Sequence, residues 1–356
     1  MDPAYPELKK THSMARKGRP WRDHKPPPSG PVWAVINGVG AYWALVAAVD
    51  LNLFDAIKST GRAPVEKIAA HLSLSPDHLA HLLDVMVTMG FLEKLDGLYK
   101  ITDTAERYLC TDGASSMTEL VRISPGPMEN WLGLAKAMRN GGSASPIDDD
   151  LRGFYGPLNN ATFATQLRVA TLTGFRLGWR GRPGLRVLDL GAGLGPWASA
   201  VLDQSDGSRA SLNDWPEIVE LAKASVAERG LSDRVSFIPG DFHEVALEEN
   251  AFDVVAICHL CRTEGPERSP SLVQRAARAL KPGGQLLVAD YFADNEKRLN
   301  PFGVQMGLTM LANTRHGRAI THEQMYGWLA AAPLESIRLI EPIKFNQVYV
   351  ATKRHP

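Results

Sequence analysis

Apolar positions follow two regimes along the chain. Up to about residue 112 they recur at helical spacing, and from Gly184 onward short apolar runs of strand length alternate with helical stretches. Residues 31–48 hold no charged side chain and open with Val32-Trp33-Ala34-Val35-Ile36. That length just reaches the roughly 18 apolar residues of a candidate membrane span. Asn37, Gly38 and Gly40 interrupt it and Asp50 follows at once, so the pattern predicts a helix buried on most faces, in a core or a dimer interface, and no membrane contact. Trp43, Leu45, Val46, Val49, Leu51, Leu53, Phe54 and Ile57 continue that pattern, and a second helix begins at Pro64-Val65. A third spans 76–90: Ser75 is a good N-cap, Pro76 suits a first turn, and Gly90 is a natural stop. Two short strands, 91–95 and 98–101, flank Asp96-Gly97, a strong hairpin signal. Helices followed by such a hairpin predict a winged-helix-like unit over 30–112, read as a packing or dimerisation module.

Residues 113–180 are mixed and read as a helical linker that lines the substrate. A loop falls at 141–146, and Asp148-Asp149-Asp150 after it reads as a solvated face or cap, not a metal site. A helix over 161–179 leads into the last unit, 181–356. There, strands are expected at 185–190, 210–213, 235–238, 252–257, 284–290, 336–339 and 347–352, with helices at 216–229 and 271–280. This alternation predicts an α/β unit: an open, mostly parallel sheet with helices on both faces.

Charge and composition narrow the picture. Thirty-nine basic residues balance thirty-nine acidic ones among 356, so no general attraction to nucleic acid or anionic lipid is expected. A winged helix often reads DNA, but the third helix carries only Asp77 and Asp84 as full charges, with His78 and His81, and no Lys or Arg to meet phosphate. Cys110, Cys258 and Cys261 are too few for a disulfide framework and fit a reducing, cytoplasmic setting. Residues 1–29 are basic and Pro-rich without a following apolar core, which predicts a flexible arm, or a segment crossing onto a partner subunit, and not a secretory signal.

The chemistry concentrates in Val187-Leu188-Asp189-Leu190-Gly191-Ala192-Gly193-Leu194-Gly195, an apolar strand entering a glycine turn that opens a helix. Glycines there allow a tight turn and close approach of backbone to a ligand. About 25 residues on, Asp214 ends the second strand, where an acid hydrogen-bonds ribose hydroxyls in such architectures. A dinucleotide site is the first alternative. Against it, Asp189 stands where a dinucleotide-binding strand usually stays apolar, and Asp241-Phe242 ends the third strand, where a carboxylate and a ring suit adenine.

The segment 189–195 resembles motif I of class I S-adenosylmethionine-dependent methyltransferases. Asp214 in Asn-Asp-Trp-Pro, the Lys281-Pro282-Gly283-Gly284 turn and the last strand match further parts of that family. Over roughly 30–353 the order of parts is similar to the plant caffeate-type and bacterial acetylserotonin-type O-methyltransferases. The resemblance implies a Rossmann-like seven-stranded sheet, a homodimer interlocked through the N-terminal module, and S-adenosyl-L-methionine held by Asp189, Gly191, Gly193, Gly195, Asp214, Asp241, Phe242 and Cys258. It implies His259 as general base, oriented by Asp290, with a small-molecule acceptor lined by Met306, Met310 and Thr314 and, more loosely, Trp131, Phe154, Tyr155, Phe163 and Gln166. Neutral imidazole suits the deprotonation of a phenol, whose ordinary pKa is near 10.

Several positions depart from the family pattern. Leu260-Cys261-Arg262-Thr263-Glu264 replaces the usual Asp-Trp and acidic pair, and Asp290 is one methylene shorter than the usual Glu. A second bracing Glu would fall near Ala319, and an adenosine-contacting Lys at Val255. Cys258 and Cys261 lack a second ligand pair for zinc, and no metal is expected. The expected reaction is O-methylation of a phenolic or polyketide-type natural product. Transfer to carbon or nitrogen, or a cofactor-assisted decarboxylation or rearrangement, is the alternative.

Overall fold

The structure is a computed structural model, and it describes residues 28–124, 127–143, 146–343 and 346–356. All but the last two residues of the expected arm lie outside the described residues, as do Ala144 and Ser145 of the expected loop and the side chain of Asp148.

The N-terminal unit runs α1 (Gly30–Asp50), α2 (Leu53–Thr60), β1 (Ala63–Pro64), α3 (Val65–Leu72), α4 (Pro76–Thr88), β2 (Leu92–Leu95), β3 (Leu98–Ile101) and α5 (Asp103–Leu109). One apolar pattern predicted a single helix through Ile57. The chain instead breaks at Asn52, which adopts φ 52°, a conformation Asn tolerates better than most residues. The break turns Leu53, Phe54 and Ile57 inward against Leu79, Leu83 and Met86. The hairpin forms in the expected register, with Leu95 opposite Leu98. Asp96 and Gly97 both have positive φ, as a two-residue turn of this kind demands. A third strand, β1, pairs with β3; two residues are too few to show a period.

Burial on most faces does not hold for α1. Only Val46, Ala48 and Val49 are buried, while Val32, Trp33, Val35, Ile36 and Val39 are each more than half exposed. Among the described residues α1 is the one helix long and apolar enough to cross a membrane. Among the described residues nothing else covers its first half, which leaves an interface as the remaining part of the expectation.

The middle segment contributes α6 (Thr118–Ile123), α7 (Met128–Leu132), α8 (Leu134–Asn140) and α9 (Leu151–Leu177). The last begins ten residues before its expected start. Gly153, Gly156 and Pro157 are poor helix formers, but the Asp150 side chain caps the first turn by accepting from the Gly153 N–H. Packing along α10 (Pro196–Gln204) and α11 (Pro216–Glu228) then outweighs propensity.

The last unit adds β4 (Arg186–Leu190), β5 (Arg209–Asp214), β6 (Val235–Pro239), β7 (Phe252–Ile257), α12 (Cys261–Ala279), β8 (Leu280–Asp290), α13 (Pro301–Asn313), α14 (His322–Ala331), β9 (Leu334–Ile343) and β10 (Asn346–Lys353). The seven strands are ordered β6-β5-β4-β7-β8-β10-β9, with β10 antiparallel to both neighbours. Alternate residues of β4 and β7 feed two cores: Leu188, Leu190, Val255 and Ile257 pack on one face, Val187, Val254 and Ala256 on the other. From β4 the chain first winds outward through β5 and β6, then returns to add β7 and β8 on the opposite side. Ligands in such sheets bind at the carboxyl ends of the strands flanking this reversal. Those ends are Leu190 and Ile257, with Asp214 and Asp290 ending the next strand on either side.

α12 starts ten residues earlier than patterning suggested and is broken at Gly265, with φ 69° and ψ 178°. A Cβ there would lie 2.2 Å from the His316 carbonyl oxygen. The first turn, carrying Arg262, is thereby set apart from the rest of the helix and pressed against the end of β8.

Candidate active site

The glycine turn between β4 and α10 is built for backbone approach. Gly191, Gly193 and Gly195 have φ of 65°, 55° and 76°, which side chains disfavour. Cβ atoms there would come within 2.9 Å of Leu260, 2.8 Å of Asn159 and 2.8 Å of Leu212. Two buried carboxylates brace the turn. Asp189, almost fully buried, accepts from the Ala198 N–H at the start of α10. Asp214 accepts from Gly193 N–H at 2.7 Å and from Trp215 N–H at 2.8 Å. Burial pushes their pKa values up, to about 7 for Asp189 and about 6 for Asp214, against the pull of those amides. Cys258 is buried beside this region, and burial holds its thiol well above the ordinary value.

The third strand end completes this wall. Phe242 is buried with its ring 6.0 Å from Trp215 at 68°. Asp241 accepts from the His243 N–H. His243 Nε2 and Arg268 Nε each lie 2.7 Å from Glu264 Oε2, tying the loop after β6 to α12. A glycine turn free of side chains, the Asp214 carboxylate as acceptor for ribose hydroxyls, and two aromatic rings suit a nucleoside bearing a positive sulfonium, so S-adenosylmethionine fits. Asn159 belongs to this end and was missed. It stands on α9, 34 residues before Gly193, and only the fold lays it over that glycine.

The acceptor end is less regular. His259 follows β7 with φ 59°, held there by its N–H bond to the Ala289 carbonyl. Its Nε2 lies 2.7 Å from Gln166 Oε1, so of the looser substrate candidates Gln166 is brought to the histidine. The expectation that Asp290 orients His259 fails: Nδ1 is 3.9 Å from Asp290 Oδ1 and has no hydrogen-bond partner. The reason is Arg262. Its Nη1 donates to Asp290 Oδ1 at 2.8 Å and its backbone N–H to Oδ2 at 3.1 Å. Burial, then the Arg262 charge, push the His259 pKa down to about 3, against the opposite pull of Asp290 and the Asn346 side chain. Tyr291 stacks near both: its ring centroid is 4.9 Å from that of His259, and the Arg262 guanidinium sits 5.1 Å above it. Phe302 meets the Tyr291 ring edge-on at 4.9 Å. Arg262 was visible in sequence as a departure; its pairing with Asp290 was not.

The remaining acceptor candidates divide. Met306 is half-buried and Met310 buried on α13. Trp131 is half-buried on α7, which packs on α13 with Asn130 Nδ2 donating to Asn313 Oδ1. Phe154 and Tyr155 pair edge-on at 5.2 Å. Thr314 is no wall residue: it is fully buried, donates to the Met310 carbonyl and accepts from the Gly317 N–H. The Met310 carbonyl also accepts the Thr314 N–H, so this residue closes the end of α13 with two bonds to one carbonyl. Phe163 is also displaced, since its ring carries the Arg229 guanidinium at 5.4 Å, against the end of α11.

Comparison with known proteins matches this anatomy. Residues 187–284 fit the methyltransferase domain model, and residues 33–111 the O-methyltransferase dimerisation domain model. The 3-hydroxy-5-methyl-1-naphthoate 3-O-methyltransferase of Streptomyces sahachiroi is 24% identical over 322 residues, covering 86% of this chain and 89% of the relative. The tetracenomycin polyketide synthesis 8-O-methyl transferase TcmO of Streptomyces glaucescens is 26% identical, covering 83% and 88%. A crystal structure of a putative O-methyltransferase from Nostoc punctiforme superimposes with a TM-score of 0.85 at 23% identity, covering 92% of this chain and all of that one. The chain thus carries a methyltransferase domain joined to an O-methyltransferase dimerisation domain, the pairing of an S-adenosylmethionine-dependent methyltransferase, and it is similar along most of its length to O-methyltransferases.

Proposed function

We propose that the chain methylates an oxygen of a phenolic or polyketide-type small molecule seated beside His259. The observation that carries this is the shared sheet edge: His259, Tyr291 and Phe302 form a ring-lined wall next to the turn braced by Asp214. The activities for which the two Streptomyces relatives are named, on a naphthoate and in polyketide synthesis, agree with a flat aromatic acceptor. When bound, the cofactor supplies an electrophilic methyl carbon: an acceptor lone pair forms the new bond and the C–S pair returns to sulfur, leaving a neutral thioether.

The chain's own residues bind and orient. Asp214 clasps the ribose, Trp215 and Phe242 flank the adenine, and Asn159 covers the turn. Gln166 must swing from His259 Nε2 before an acceptor hydroxyl can reach that nitrogen. His259 then receives the acceptor as a neutral base, and a weak one. Alignment of acceptor and methyl group supplies most of the acceleration. A second copy covers the apolar half of α1, giving a homodimer, and the three buried free thiols suit a cytoplasmic setting.

The Arg262–Asp290 ion pair favours a second reading, transfer to carbon or nitrogen or a cofactor-assisted reaction without methyl transfer, because it takes the carboxylate from the histidine. Incubation with labelled cofactor and a panel of phenols, with His259→Ala alongside, tests both. Labelled ether supports the first; label on carbon or nitrogen, with turnover unchanged by the substitution, supports the second. Absence of S-adenosylhomocysteine binding in calorimetry would remove both.

A further inference from the structure

We infer that Arg262 is a specificity-determining residue that makes this site take its acceptor as an anion, an acidic enol or hydroxyquinone in place of an ordinary phenol. The inference rests on the reading above that the acceptor lies beside His259.

Three features disarm the histidine as a base. Its Nε2 is capped by the Gln166 carboxamide. Its Nδ1 has no partner, and the carboxylate that could have balanced a proton is 3.9 Å away. That carboxylate is taken by both the side chain and the backbone of Arg262. The surroundings offer no second carboxylate among the described residues. Asp290 and Tyr291 face the ring from the end of β8, Arg262 from α12, Gln166 from α9, and the neutral Asn346 side chain from β10. Burial keeps Tyr291 and Cys261 in their neutral forms. The one carboxylate present is matched by the one guanidinium. A proton arriving on His259 would therefore be a second positive charge, buried and met only by the neutral amides of Gln166 and Asn346.

The same geometry favours a negative acceptor. Arg262 Nε is buried without a hydrogen-bond partner, and a buried charged donor left unpaired is costly. The guanidinium lies over Tyr291, whose ring touches that of His259, so its charge bears on the same wall that receives the acceptor. An ordinary phenol must lose its proton during the reaction. Giving it to a ring held near 3 is uphill by about seven powers of ten. An acidic enol has already lost that proton to solvent. Its anionic charge is cancelled by the methyl cation equivalent it gains, and nothing leaves through His259.

The test uses the full chain loaded with S-adenosylhomocysteine and two flat ligands of similar shape. One is 2-hydroxy-1,4-naphthoquinone, ionised at neutral pH, and the other 1-naphthol, protonated there. Calorimetry at pH 7.5 in two buffers of different ionisation enthalpy reads affinity and proton exchange together. The quinone should bind at least about tenfold more tightly, without net proton exchange. The paired change R262L/D290N, which leaves no buried carboxylate unpaired, should abolish that preference while keeping S-adenosylhomocysteine affinity. Arg262→Lys should retain part of it. Carbon-13 spectra of labelled histidine should show His259 unprotonated down to about pH 5.

Naphthol binding as tightly as the quinone, binding of neither, a quinone preference that survives the paired change, or His259 titrating near pH 6.5 each overturns the inference. Quinone binding that depends on Arg262 with no labelled methyl ever reaching it would instead sink the methyl-transfer reading and leave this inference standing.

Discussion

The two ends of the crevice are built on different principles. At the cofactor end, recognition comes from backbone. Three glycines in left-handed conformation leave no side chain in the turn, and Asp189 and Asp214 lock it by accepting from Ala198, Gly193 and Trp215 N–H groups. At the acceptor end, every function rests on a side chain paired with another from a distant element: His259 with Gln166, Asp290 with Arg262, Tyr291 with Phe302. Backbone recognition tolerates little change because a Cβ is enough to fill the space. Side-chain recognition is retuned by one substitution, and Arg262 is such a retuning. The comparison teaches that the cofactor can be conserved in a scaffold while the acid–base chemistry beside it is rebuilt.

The comparison makes graded predictions. Gly193→Val should have the largest effect, since it combines φ 55° with a Cβ 2.8 Å from Asn159. S-adenosylhomocysteine affinity should drop by about 100-fold or more in calorimetry while the fold persists. Retained affinity would show that the turn does not cradle the nucleoside. Asp214→Ala comes next, at about 10- to 100-fold in affinity, because it removes both the ribose acceptor and the brace on Gly193. Asp214→Asn should recover part of the loss.

At the other end the expected losses are small. His259→Ala should lower kcat on an acidic acceptor by less than about tenfold, against the roughly 10²- to 10⁴-fold that a working general base contributes. A loss in that larger range would erase the contrast between the two ends.

The smallest effect is on stability. The folded-state pKa of Asp189 is raised to about 7, above an ordinary value near 4. Between those values the native chain holds a proton that the unfolded chain does not, so stability declines as pH rises through 7. Asp189→Asn removes this dependence. In urea denaturation the variant should gain on the parent by about 1 kcal/mol between pH 6 and pH 8. A constant gap across that range would mean that Asp189 stays ionised throughout.

Much of the fold was legible because its signals are local. The hairpin at Asp96-Gly97, the N-cap Ser75 before Pro76, and the apolar strands 187–190 and 252–257 each announce themselves within a few residues. The elements that were misjudged had local and tertiary preferences in conflict. α9 begins among glycines and a proline because packing on α10 and α11 holds it, and α1 keeps an apolar face that nothing else among the described residues covers. Thr314 and Phe163 sit at suitable sequence positions but point into a helix end and against α11.

By itself, then, the amino-acid order determined the sheet, the glycine turn and the carboxylates that brace it, because backbone conformation and strand-end chemistry are properties of neighbours in the chain. Only the tertiary structure decided what His259 can do. Its partners stand 93 residues away at Gln166 and, through Arg262, 28 residues further along at Asp290. The proton affinity of a buried ring is the sum of charges and dipoles that folding brings around it.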